Sequence, residues 1–200
     1  SRMMILDCII CGTDRRGDNY LVDNSDKLWA IDNGASFTRE PELTTEMHNM
    51  HMSMNQFTFD EEAVSKLKDL AQDKGKKEVL STLLSEVLKK REVAMFFKRL
   101  ELLSSNIEGN KISADAVKSM KSGLEGFKDD YDKELVESIE GLDQSNPEEH
   151  KKLALELIDQ NETDILIENL DKLKGLDEDV ADKLIDTGRS AAVAKNLEKF

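Results

Sequence analysis

The last fifty residues repeat themselves, and a repeat restricts the possible folds more than any single motif does. Leu153–Leu173 aligns with Val180–Phe200 at a spacing of 27. Seven of the 21 aligned positions are identical: Ala154/Ala181, Leu157/Leu184, Ile158/Ile185, Asp159/Asp186, Asn169/Asn196, Leu170/Leu197 and Lys172/Lys199. Others exchange apolar for apolar, as in Leu166/Val193 and Leu173/Phe200. Each copy reads as two short helices around a turn, Gln160-Asn161 in the first and Thr187-Gly188 in the second. One such unit cannot bury its own apolar face, so the copies are expected to stack. Matching positions should then occupy equivalent places. Leu157 and Leu184 face inward, as do Leu170 and Leu197, while Asn169 and Asn196 make side-chain hydrogen bonds at the seam. No polar capping copy is visible at Phe200, which points to further copies or to a contact surface.

The rest of the chain is also mainly helical in pattern. From Asp60 onward apolar residues recur at three- and four-residue spacing in Glu61–Asp73, Lys77–Lys90 and Glu92–Leu103, with Gly75 and the polar tract Ser104–Asn110 as breaks. Ala114–Phe127, with Ser113 as its N-cap, and Lys133–Ile139 read as two more helices, and Pro147 suits a first helical position. Near the start, Met3–Cys11 is apolar almost all round and reads as a buried helix that Gly12 ends. Asn19–Val22 and Lys27–Ile31 are strand-like and flank four turn formers, Asp23-Asn24-Ser25-Asp26, which makes a short β-hairpin. Ala35–Phe57 shows little periodicity.

Charge divides the chain. The net charge is −14, but residues 1–107 hold 15 basic and 18 acidic side chains while 108–200 hold 13 and 24. Two units, 1–107 and 108–200, follow from this and from the repeat. The acidity argues against nucleic acid or an anionic membrane surface as the main partner, and leaves a protein partner at the acidic helical repeats as a possibility. The two cysteines give no disulfide framework, and no apolar run reaches the roughly 18 residues of a membrane helix. A cytoplasmic protein is the expectation.

One constellation carries chemistry. Phosphoryl transfer to a hydroxyl needs a carboxylate to orient the attacking group, and an amide plus a second carboxylate to hold magnesium on the nucleotide phosphates. Asp14 and Asn19 are five residues apart, just after the Met3–Cys11 helix. Asp32 follows the hairpin and precedes Asn33-Gly34, so the hairpin would fold it back beside Asn19.

The stretches Leu6-Asp7-Cys8-Ile9-Ile10-Cys11-Gly12-Thr13-Asp14-Arg15, Asn19-Tyr20-Leu21 and Leu28-Trp29-Ala30-Ile31-Asp32-Asn33-Gly34 resemble the Asp-Arg-x-x-x-Asn and Ile-Asp-x-Gly signatures of phosphatidylinositol 3-/4-kinase-like enzymes. The likeness is closest to the type II phosphatidylinositol 4-kinases and bacterial relatives. It implies a mainly α kinase-like C-lobe with one short β-hairpin, followed by an α-helical extension with helix-turn-helix repeats. It further implies Asp14 as the catalytic carboxylate and Asn19 and Asp32 as ligands of magnesium and hence of bound ATP. Many relatives carry His where this chain has Arg16, though the type II enzymes do not, and Arg16 would contact phosphate instead. The Arg91–Leu103 helix, with Phe96, Phe97 and Arg99, resembles the end of a kinase lobe. The chain has no G-x-G-x-x-G, and its first lysine, Lys27, lies within the hairpin. Expected, then, is a fragment of an ATP-dependent kinase acting on an inositol lipid or protein hydroxyl, inactive without a nucleotide-clamping lobe. The alternative is a non-catalytic pseudokinase and helical-repeat scaffold.

Two other groupings read more plainly. Cys8 and Cys11 have redox or metal-pair spacing, but they lie on an apolar helix with no second pair, so they read as buried small hydrophobes. Glu46–Met54 contains two His and four Met, a soft-metal composition. By the resemblance this segment is an activation or substrate loop, where adaptable side chains need no metal.

Overall fold

The computed structural model describes residues 2–12, 19–25, 28–30, 34–44 and 56–200. They are mainly helical, with one short hairpin among few strands. None of the helices among them is long and apolar enough to cross a membrane. The chain forms two compact units, Ser1–Lys128 and Asp129–Phe200.

The first unit begins with α1, Arg2–Ile10, which buries Ile5, Cys8, Ile9 and Ile10 and leaves Leu6 exposed. Asp7 is buried too, so the buried positions run round most of the helix, as its apolar pattern implies. The hairpin follows as β1, Tyr20–Val22, and β2, Leu28–Ala30. They pair antiparallel with Tyr20 opposite Ala30 and Leu21 opposite Trp29. The turn formers act through Asp23, whose carboxylate accepts from the backbone N–H of Ser25 at 2.9 Å and from the Trp29 indole at 2.9 Å. A second two-stranded sheet, unexpected from the sequence, joins β3, Gln56–Thr58, to β4, Lys111–Ser113.

Between those strands lie α2, Glu61–Gln72, α3, Lys74–Ser85, and α4, Lys90–Asn106. Asp60 caps α2 by accepting from the Ala63 N–H at 2.9 Å, and Asp73 caps α3 through Lys76 at 3.0 Å. The break therefore falls at Asp73, and Gly75 lies inside the first turn of α3. Phe96, Leu100 and Leu103 of α4 meet Ile5 and Ile9 of α1 and Val64 and Leu67 of α2 in one core.

Next comes α5, Ala114–Glu140, one helix where the sequence suggested two. Ser113 caps it through the Ala116 N–H. The segment thought to separate the two helices, residues 128–132, contains neither Gly nor Pro to stop a helix. Ile107, Ile112, Val117 and Met120 join the core of the first unit, so the division falls after Lys128 rather than after Ile107.

In the second unit the repeat is visible in the backbone. The first copy comprises α6, Pro147–Asp159, α7, Thr163–Glu168, and a 3-10 turn, Leu170–Lys172. The second comprises α8, Glu178–Asp186, α9, Ser190–Lys195, and a 3-10 turn, Leu197–Lys199. A shift of 27 superposes the bounds of α7 on α9 and of one 3-10 turn on the other. Both leading helices end in the same Schellman cap. The Glu162 N–H donates to the Leu157 carbonyl at 2.8 Å, and the Arg189 N–H to the Leu184 carbonyl at 2.9 Å. Asn161 and Gly188 take the left-handed position between, with φ of 61° and 81°. Asn169 and Asn196 each donate through Nδ2 to the carbonyl four residues earlier, at 2.8 and 2.9 Å. Leu157, Leu170 and Leu184 are buried as expected, but Leu197 is not.

Candidate functional site

The approach to the kinase-like motif is built by α1. Its C-terminus is a Schellman turn in which the Gly12 N–H donates to the Asp7 carbonyl at 3.0 Å. The left-handed residue is Cys11, with φ of 53°, rather than Gly12. An L-residue there costs roughly 1–2 kcal/mol. Cys11 is nevertheless completely buried, and its thiol donates to the Glu42 carbonyl at 3.4 Å. Cys8 and Cys11 are both buried and outside any disulfide, as expected of buried hydrophobes. Burial pushes the Cys11 thiol above its ordinary value, which keeps it protonated and unreactive.

Of the four residues that the sequence assigns to the site, Asn19 is described. It is buried at 9% exposure, immediately before β1. Asp14, Arg16 and Asp32 lie outside the described residues, as do the His and Met side chains of Glu46–Met54. What the structure gives is the frame around them. Because Tyr20 pairs with Ala30, the hairpin receives the chain from Asn19 and releases it after Ala30 at one end. Among the described residues no group of three or more His, Cys, Asp or Glu side chains is arranged to hold a metal. The described donor at the expected magnesium position is thus Asn19 alone.

The segment 34–44, which begins with Gly34 of the motif, is held by a residue of α4 to which the sequence assigned no role. Arg99 is fully buried. Its guanidinium donates to the backbone carbonyls of Thr38 at 3.0 Å, Glu40 at 2.6 Å and Glu42 at 3.4 Å. Burial pulls Arg99 below its ordinary value, but a guanidinium does not lose its proton in a protein. Carbonyl dipoles therefore meet the charge through Nε and Nη2, while Nη1 is buried without a hydrogen-bond partner among the described residues. Phe37 adds a second fixing point, with its ring stacked on Phe96 at 6.0 Å between centroids and its N–H donating to the Ile10 carbonyl. Arg99 ties 38–42 to α4, and Cys11 and Phe37 tie it to α1. Such a role is not visible in periodicity, which marks a face and not what lies against it.

A cleft among the described residues of the first unit lies elsewhere. It has a volume of about 580 Å³ and is lined by Ala71, Lys77, Ser81, Phe97, Leu100 and Phe127 among others, none of them assigned to the motif. Lys98 spans its rim, with Nζ 5.8 Å from the Phe127 ring centroid. Its lining also holds Glu78, next to Lys77, and the Lys98–Glu101 ion pair at 3.2 Å. Compared with protein-family models, curated proteins and solved structures, the chain has no significant match.

Proposed function

We propose that the first unit is the catalytic-loop and metal-binding part of an ATP- and magnesium-dependent kinase that phosphorylates an inositol lipid or a protein hydroxyl. Asp14 orients the attacking hydroxyl, Asn19 and Asp32 hold magnesium on the nucleotide, and Arg16 contacts phosphate. The observation that supports this best is the hairpin register. With Tyr20 opposite Ala30, the strand end next to Asn19 and the strand end that precedes Ile31-Asp32-Asn33-Gly34 in sequence lie at one end of the hairpin. The anchored segment 34–44 adds support, since a substrate-facing loop needs a fixed base. Replacing magnesium by paramagnetic Mn²⁺ tests the reading. The amide signals of Asn19 and Tyr20 should broaden at low Mn²⁺, and Asp32→Asn should remove that broadening. Broadening confined to the acidic second unit, or unchanged by Asp32→Asn, would refute the assignment.

A second reading is that the chain is a non-catalytic scaffold whose repeats bind a protein. It is favoured by the stacked repeats of the second unit, because repeat arrays present extended surfaces for partners.

A further inference from the structure

The cleft among α2, α3, α4 and α5 owes its space to small residues. Ala71 of α2, Ser81 of α3 and Ala94 of α4 line it where larger side chains would fill it, and Phe97 and Phe127 flank them. Its volume of about 580 Å³ falls within the roughly 300–1,000 Å³ of small-molecule sites, and its surface is mainly apolar, as theirs is. The Phe97 wall is held in place by Phe96, whose ring meets it edge-on at 5.2 Å between centroids. Burial sorts the charges around the cleft. Lys77 and Lys98 are half-buried, whereas Glu78 and Glu101 are exposed. Glu101 answers Lys98 at 3.2 Å, and the Lys98 ammonium also lies 5.8 Å from the Phe127 centroid. Lys77 has no carboxylate at ion-pair distance among the described residues. The inner charge left without a counter-ion is therefore a cation.

We propose that this cleft binds a single-chain anionic amphiphile, with a carboxylate or phosphate head on Lys77 and the tail between Phe97 and Phe127 over Ala94 and Leu100. The apolar walls supply most of the affinity through the methylenes they cover, and Lys77 selects the sign of the head. The exposed Glu78 and Glu101 keep their charges in water and face the head from outside the cleft. None of the lining residues belongs to the kinase-like motif, and the proposal does not rest on phosphoryl transfer.

Dodecanoate, kept below its micellar range, is the probe, titrated into the intact chain by calorimetry. It should bind saturably at one site, and decanoate, two methylenes shorter, about tenfold more weakly. Dodecyl phosphate shows which anionic head is preferred. Dodecyltrimethylammonium has the same tail and the opposite charge, and should bind about two- to fivefold more weakly than dodecanoate. Lys77→Glu should reverse that order, and Ala94→Trp, which fills the floor, should abolish binding of all four. If Ala94→Trp does not fold, Lys77→Glu at the rim still decides the matter. Ser81→Cys places a thiol in the wall, while the native Cys8 and Cys11 stay silent because they are 1% and 0% exposed. The new thiol should react with an alkylating reagent in the free protein and be protected by dodecanoate, in this chain and in the full gene product alike. Protection already present without dodecanoate would mean that protein, whether of the same gene product or another, fills the cleft, and overturns the proposal. Absence of binding, binding that ignores both Lys77→Glu and Ala94→Trp, or equal affinity for the two head charges overturns it as well.

Discussion

Leu170 and Leu197 are the same residue at the same place in two copies of one unit, yet one is 2% and the other 67% exposed. Truncating each to alanine separates what the repeat pattern encodes from what packing contributes. Leu170 belongs to the cluster of Leu157, Leu166, Leu173 and Leu184, and a buried Leu→Ala change costs about 2–5 kcal/mol from lost transfer energy and the cavity left behind. At about 0.05–0.15 kcal/mol per residue, a unit the size of residues 129–200 has a stability of roughly 4–11 kcal/mol, so that loss is a large fraction of the whole. Leu197→Ala opens no cavity and should change stability by less than about 0.5 kcal/mol. Urea unfolding followed by circular dichroism gives the two magnitudes. Amide hydrogen exchange locates them: in Leu170→Ala, protection should fall at Leu157–Asp159 while it persists at Cys8–Ile10. Equal costs for the two variants would refute the packing argument. Equal loss of protection in α1 and α6 would show that the two units unfold as one.

Arg99→Met keeps much of the side-chain volume but leaves the Thr38 and Glu40 carbonyls without their donor. It should destabilise the first unit by about 2–4 kcal/mol and make the segment 34–44 cleavable by protease, with no change in the second unit. The joint between the repeats should respond to acid. Lys151 lies 2.5 Å from Asp177 and 2.6 Å from Asp179, and its hydrogen bond holds Asp177 below the ordinary carboxylate value. A carboxylate with a lowered value contributes stability above its unfolded value, which is lost as pH falls through the folded one. Exchange protection at Val180 and Ala181 should therefore be flat from pH 5 to 8 and decline below about pH 4, and Lys151→Met should abolish that dependence.

Features governed by neighbours along the chain were legible in the sequence. The helical spacing of Val64, Leu67 and Leu70, the turn chemistry of Asp23 and Ser25, and the Ser113 cap are interactions within a few residues. The repeat conveyed more, since Asn161 and Gly188 already marked the left-handed position of two identical caps. What the sequence hid depends on partners distant in the chain. β3 and β4 are three residues each, too short for a period-two pattern, and among the described residues they pair with each other. The burial of Arg99 depends on carbonyls about sixty residues away. Leu197 reads as inward because its twin is inward, and nothing in its own surroundings records that no neighbour covers it. For the candidate site, the motif is entirely a sequence observation; Asn19 and the hairpin register are the parts that the described structure meets.

The pairing of β3 with β4 bears on the order of assembly. Thr58 and Lys111 are held together across 52 intervening residues, and α2, α3 and α4 all lie within that loop. Two strands of three residues cannot hold each other unaided, and closing a loop of that length as free chain carries a large entropic cost. Once the three helices have formed and collapsed on one another, little flexible chain remains between the strands. Closure is then nearly local. The small sheet is thus best understood as a late clasp that fastens an already helical hub, and its edge residues report on completed folding rather than on its onset.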